Sequence, residues 1–134
     1  MSLESTLLIV KPDGVARGLV GEVLRRAEAK GLRIAGLRTM TIDRSLAEEH
    51  YGEHRDKPFF GELVAFITSG PVVVARLDGE GAIDVLRTLM GPTDPAIAPP
   101  GSIRGDLGLI ITQNIVHGSD SSDSAERELK LFFD

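Results

Sequence analysis

The 134-residue chain contains no cysteine and no tryptophan. Without thiols there can be no disulfide, no thiolate nucleophile and no cysteine-bound metal. Such a composition suits a reducing compartment, and a cytoplasmic protein is expected. Aromatic residues are few, five Phe and one Tyr, which leaves little for stacking single-stranded bases. The formal net charge of −5 and a pI near 5.2 also weigh against a surface that coats nucleic acid, so no dedicated nucleic-acid site is expected. The longest apolar runs, such as Leu7-Leu8-Ile9-Val10, are too short to cross a bilayer, so no membrane partner is expected either. Met1-Ser2-Leu3-Glu4 shows neither the basic cluster nor the apolar core of a secretory signal. The phosphate loop G-x-x-x-x-G-K-[ST] is missing, because Gly14 to Gly18 is followed by no lysine and hydroxyl. Gly79-Glu80-Gly81 begins a G-x-G-x-x-G, but Asp84 stands where its third glycine belongs. Any polyphosphate would have to be held by side chains.

What remains is ordinary for a globular protein, with 42% hydrophobic and 26% charged residues, and residues 1–134 are expected to form one domain. Thr6 to Val10 reads as a strand closed by a turn at Lys11-Pro12-Asp13-Gly14. Val20, Val23, Leu24 and Ala27 recur at helical spacing, and Lys30-Gly31 supplies a cationic last turn and a left-handed stop. Leu32 to Ile42 reads as a second strand. Ser45 is placed to cap a short helix reaching Tyr51, and another helical stretch runs from near Pro58 to before Gly70-Pro71.

Val72 to Leu77 is a third strand, and Ile83, Leu86 and Met90 share one face of the helix after it. Residues 91–105 hold four prolines, and a loop this long in a small domain is usually functional or an interface element. Leu107 to Ile111 reads as the fourth strand, and Asp123 with Glu126 has the spacing of a capping box for a last helix ending near Phe133. Two β-α-β halves predict an α+β, ferredoxin-like, four-stranded antiparallel sheet with helices on one face. A flavodoxin-like parallel sheet is the competing architecture, but no fifth strand is found.

Asn114-Ile115-Val116-His117-Gly118-Ser119-Asp120 is the sharpest local feature, since it sets one of only three histidines beside a glycine, a hydroxyl and a carboxylate. A neutral imidazole can attack an electrophile without further activation. The plainer reading is a histidine anchored in a loop by hydrogen bonds. Arg104 lies in the glycine-flanked Gly101-Ser102-Ile103-Arg104-Gly105-Asp106, and Arg87 falls on the helix face opposite Leu86 and Met90. Arg87 could equally sit on a solvated helix face, and Thr93 could be a turn cap. Lys11, at a strand end, points toward whatever cleft the sheet edge opens.

Lys11-Pro12-Asp13-Gly14, Lys57-Pro58-Phe59-Phe60, Ser69-Gly70-Pro71, Arg104-Gly105-Asp106 and Asn114 through Asp120 together resemble the signatures of the nucleoside diphosphate kinases. They occur in that family's order and spacing, over essentially the whole chain. The resemblance implies a ping-pong transfer of the terminal phosphoryl group from a nucleoside triphosphate to a nucleoside diphosphate, with His117 as the nucleophile that becomes phosphohistidine on Nδ1. It implies Glu128 as the carboxylate that orients the imidazole, Ser119 as a supporting hydroxyl, and Tyr51 beside Lys11 at the phosphate end. Arg87, Thr93, Arg104 and His54 would contact phosphates. Phe59 and Ile111 would flank the base, and Lys11 and Asn114 would bind the sugar hydroxyls. Mg2+ would enter with the nucleotide, held by phosphates and by no protein side chain. The family forms homo-oligomers, hexamers or tetramers, and residues 91–105 match a loop that packs between subunits. Phe132 stands where the family usually has tryptophan, and Gln113 where it often has a basic residue. The rival readings are a silent nucleotide-binding module on the same core and an RNA-recognition domain, which shares the ferredoxin-like topology.

Overall fold

The computed structural model describes residues 3–133. The chain runs through β1 (Leu3–Val10), α1 (Pro12–Ala16), α2 (Val20–Lys30), β2 (Arg33–Met40) and α3 (Arg44–His50). It continues through α4 (Phe60–Ile67), β3 (Val72–Glu80), α5 (Ala82–Met90), α6 (Ile103–Leu107), β4 (Val116–Gly118) and α7 (Ser122–Phe133). The strands form one sheet in the order β2-β3-β1-β4, every neighbouring pair antiparallel. This is the ferredoxin-like sheet that the element order predicts.

β1 is central, paired along its whole length with β3 and at its far end with β4. Thr6 to Val10 are all buried, because alternate residues face two different layers. Leu8 and Val10 turn toward α2 and α5, meeting Val23, Ala27, Leu86 and Met90. Leu7 and Ile9 turn the other way, onto Ala47 of α3, Val64 and Ile67 of α4 and Phe132 of α7. The pair α2 and α5 is the helical layer expected on one face; α3, α4 and α7 add a cover to the other. The unbroken apolar run of β1 is the sequence mark of a strand buried on both faces. Phe132, at the position where tryptophan is usual in the family, is one of the largest fully buried side chains.

Several boundaries move. The stretch expected as the fourth strand, Leu107 to Ile111, instead carries the end of α6 and an open segment with Leu109 82% exposed. The fourth strand is the three-residue β4. It pairs because Val116, His117 and Gly118 lie opposite Val10, Ile9 and Leu8, not because the residues favour strands. Lys11-Pro12-Asp13-Gly14 opens a short helix, with Pro12 in its first turn where a missing N–H costs nothing. The cap of α3 is Asp43, whose Oδ1 accepts the Leu46 N–H at 2.8 Å, in place of Ser45. Before α7, Ser121 Oγ accepts the Ser124 N–H at 3.1 Å, so the cap lies two residues ahead of Asp123. α2 does stop at Gly31, in the left-handed conformation with φ 111°.

Gly105, inside α6, has no room for a side chain: a Cβ there would overlap the Pro99 carbonyl and stand 2.7 Å from Ser102 Oγ. Gly105→Ala is therefore expected to push apart the loop that carries Arg104. The cost of such overpacking is roughly 1–3 kcal/mol, read as a lower urea midpoint at unchanged slope.

Candidate active site

One cleft of about 630 Å³ opens where the C-terminal end of β1, β4, α5 and α7 converge under the segment after α3. Its floor depends on an unusual backbone turn. Ile115 has φ 73°, in the left-handed region that a β-branched residue rarely occupies. It is held from both sides: its N–H donates to Asp13 Oδ2 at 3.1 Å, and its carbonyl accepts the Lys11 N–H at 2.8 Å. The turn sets Asn114 on the cleft wall and starts β4, so that His117 arrives with its side chain 22% exposed.

His117 is held by a relay that begins in the sheet. The Leu7 N–H donates to Ser119 Oγ at 3.2 Å, and that hydroxyl donates to Glu128 Oε1 at 2.7 Å. The same Oε1 lies 3.0 Å from His117 Nε2. Burial alone would raise the Glu128 carboxyl. The hydrogen bond with His117 and, with it, the electrostatic pull of the neighbouring imidazoles and the Ser119 hydroxyl outweigh it, and the group lies below its ordinary value. Glu128 is thus an ionised, acceptor-only partner, and His117 must donate from Nε2. The ring's lone pair then sits on Nδ1.

The cationic side chains of the wall differ in how they are fixed. Arg104 is buried, and donates from Nε to the Asn114 carbonyl at 3.1 Å, from Nη1 to Gly91 at 3.0 Å and from Nη2 to Val116 at 2.6 Å. Its five N–H groups leave two beyond those three bonds. Burial and then the nearby Arg87 push its guanidinium down to about 10, still charged at neutral pH. Lys11 Nζ donates to Asn114 Oδ1 at 2.9 Å, and Asn114 Nδ2 donates to the Thr93 carbonyl at 3.0 Å. Burial, followed by repulsion from Arg104, pushes the Lys11 ammonium down to about 8. Tyr51 is pushed up to about 12 by burial and by Glu128, so it stays a phenol.

Known proteins decide the family. The model described as nucleoside diphosphate kinase matches residues 4–134. A nucleoside diphosphate kinase of Rubrobacter xylanophilus is 64% identical over 98% of each chain. The chain belongs to the nucleoside diphosphate kinase family. Two solved structures agree in shape. A halophilic nucleoside diphosphate kinase of Halobacterium salinarum, in complex with CDP, superposes with a TM-score of 0.96 at 52% identity, covering 99% of this chain and 89% of that one. The Aquifex aeolicus nucleoside diphosphate kinase does so at 0.97 and 43% identity, covering 99% and 96%.

Against the signatures of this family, Lys11, Tyr51, His54, Phe59, Arg87, Thr93, Arg104, Asn114, His117 and Glu128 all line the cleft. Ser119 lies behind it, fully buried, and acts through Glu128. Ile111 is the exception: it sits in a short helical turn, 54% exposed, and is not among the lining residues. Among the other lining residues, two bear on how His117 is held. Arg127 donates to the Glu49 and His50 carbonyls at 3.1 and 3.4 Å, tying α7 to the end of α3. His50 packs edge-on against His117, with ring centroids 4.7 Å apart. Burial and then His117 push its imidazole down to about 3, so the ring is neutral. With three histidines in the chain, its place next to Tyr51 was the available signal.

Proposed function

We propose that the chain moves the terminal phosphoryl group of a nucleoside triphosphate onto a nucleoside diphosphate by way of His117. The observation that carries this reading is the contact that fixes the tautomer: Glu128 accepts the hydrogen bond of the Nε2–H, which leaves the lone pair of Nδ1 as the nucleophile. Nδ1 attacks the terminal phosphorus, the bond from that phosphorus to the bridging oxygen breaks, and the nucleoside diphosphate leaves with the electron pair. A second diphosphate then attacks the phosphohistidine, and Nδ1 recovers its lone pair. Positive charge grows on the ring during attack, and the ionised Glu128 lies 3.0 Å away to stabilise it.

Arg87, Thr93, His54 and the two remaining N–H groups of Arg104 would hold the phosphates, with the Tyr51 hydroxyl beside Lys11. Phosphoryl transfer has a loose transition state, so such positioning supplies most of the catalysis. Lys11 and Asn114, already bonded to each other, would take the sugar hydroxyls. The base would cover the exposed face of Phe59, which is 42% exposed, and the outer face of Ile111. Apolar contacts leave no buried polar group unpaired when the base changes, so purines and pyrimidines, ribose and deoxyribose, should all serve. The CDP held by the Halobacterium relative supports the substrate class. Lys11, Arg87 and Arg104 on the wall would attract the polyphosphate anion, and Mg2+, which takes oxygen ligands, would be carried by the phosphates and would neutralise charge on the transferring group. We further place the protein in the cytoplasm as a homo-oligomer, hexamer or tetramer. In support, Ile97, inside the proline-rich loop, and Leu109, just after it, are 74% and 82% exposed. No helix among the described residues is long and apolar enough to cross a membrane.

The test is an intact mass after incubation with ATP and Mg2+ and removal of nucleotide. One added phosphoryl group, labile in acid and stable in base, is expected; its absence with nucleotide still bound would favour a silent binding module. An RNA-recognition sheet needs a free face for bases, and here helices cover both.

Lys11 gives an independent pH signature. In the free protein about half of the Lys11 ammonium has lost its proton near pH 8, and polyphosphate nearby favours the charged form. Binding above pH 8 should therefore draw up to one proton from solution, and affinity should fall as pH rises further. Calorimetry in buffers of different ionisation enthalpy checks the uptake, which Lys11→Met should abolish.

A further inference from the structure

His50 takes no part in the proposed transfer, yet it is the least satisfied polar group in the cleft. Its side chain is only 1% exposed, and neither ring nitrogen has a hydrogen-bond partner. A buried polar group without partners is costly, and persists where something else can use it. Nδ1 of His50 stands 3.9 Å from Glu128 Oε2, and Glu128 Oε1 stands 3.0 Å from His117 Nε2. One donor atom from each of the three residues falls within 4.8 Å of the others. All three open onto the cleft, which gives an ion a way in and a solvent position for its fourth ligand.

We propose that His50, His117 and Glu128 form a binding site for a borderline-soft divalent ion such as Zn2+, and that the bound ion stops His117 from accepting a phosphoryl group. Two nitrogens and a carboxylate with an open fourth position are a ligand set that zinc takes, at about 2.0–2.2 Å from each donor. Ligand atoms around such an ion lie roughly 3.3 Å apart, so the three side chains need shifts of about an ångström. Mg2+ prefers oxygen donors and keeps its waters, so it should not compete there.

Inhibition follows from the chemistry of the ring. A neutral imidazole has one N–H and one lone pair. When the ion takes the lone pair on Nε2, the proton must reside on Nδ1, and the nitrogen facing the phosphates has nothing left to attack with. No proton is released and no bond to phosphorus forms. Nucleotide can still bind, because the groups that hold its phosphates and sugar are elsewhere on the wall.

The inhibition rests on the proposed transfer through His117, but binding of the ion does not. Zn2+ titrated into nucleotide-free protein against a chromophoric chelator should occupy one site per chain. X-ray absorption at the zinc edge should show two imidazole nitrogens. His50→Phe, which keeps a ring in the buried space, should weaken binding at least tenfold, and His50→Gln should do so if the phenylalanine variant fails to fold. Zinc-loaded wild type mixed with ATP and Mg2+ should take up phosphoryl groups at least tenfold more slowly than the unloaded enzyme, while ADP binding stays within threefold. The His50 variant should show no such slowing at the same zinc concentration. Equal zinc affinity in wild type and variant, fewer than two imidazoles at the ion, or an unchanged rate in the loaded enzyme would each overturn the proposal. If zinc binds as described but the unloaded enzyme never takes up a phosphoryl group, the metal site stands and the proposed transfer falls.

Discussion

His117→Ala is expected to lose all acid-labile phosphoryl incorporation and to lower turnover by at least about four orders of magnitude. In the proposed transfer His117 is the one group that no neighbour can replace: Ser119 is fully buried and committed to Leu7 and Glu128, and His50 packs its ring against His117. Affinity for ADP should change by less than about threefold, since Lys11, Asn114 and the arginines are untouched; a parallel loss of binding would place His117 among the holding groups instead. Glu128→Gln separates positioning from attack. An amide can turn its NH2 toward Nε2, which must then accept, and the proton moves to Nδ1. A wrong tautomer of this kind costs roughly 10²–10⁴ in turnover, as an aspartate-to-asparagine change does in a serine protease triad. Free imidazole supplied in solution should rescue His117→Ala in part and leave Glu128→Gln unchanged.

That relay shows where sequence reading succeeds and where it stops. The motif around His117 carries its chemistry in consecutive letters, so its membership in a site is legible without coordinates. The tautomer is not, because it depends on Glu128, eleven residues away on another element, and on the Leu7 N–H that orients Ser119. The strand under His117 was invisible for a related reason. In Val-His-Gly only Val116 favours strands, and so short a run becomes a strand by facing Val10, Ile9 and Leu8 across the sheet. Leu107 to Ile111 had the apolar pattern without the partner. The second helical layer, by contrast, was written in the chain: four consecutive apolar residues in β1 imply two covered faces, and a sheet with helices on one side would have alternated. Arg104 illustrates the limit of a role carried over by motif. Its position among glycines points to a ligand contact, while three backbone carbonyls, separated in sequence, give it a second task that no spacing displays.

The double role of Arg104 leads to the other large expected effect. Arg104→Met keeps the apolar stem but removes the donors to the Asn114, Gly91 and Val116 carbonyls. A buried acceptor left without a partner costs about 1–3 kcal/mol; the Gly91 carbonyl lies at the cleft wall, where water can replace the guanidinium, so the loss should be about 3 kcal/mol in total. Chemical denaturation at neutral pH should show it, because a guanidinium held near 10 is fully charged there in the folded and the unfolded chain, so the difference does not vary with pH, and relief of the buried charge offsets only part of the loss. Arg104→Lys should recover little, since one compact ammonium cannot span three carbonyls. Arg87→Ala is the control. Arg87 is exposed on the same wall, so its removal should leave stability within about 0.5 kcal/mol. The lost charge-assisted bond, worth about 1.5–3 kcal/mol, should still raise the KM for nucleotide roughly tenfold or more. If Arg104→Met proved as stable as Arg87→Ala, the three carbonyl bonds would not be what holds Gly91, Asn114 and Val116 around the cleft, and the strained turn at Ile115 would have to be kept in place by Asp13 and Lys11 alone.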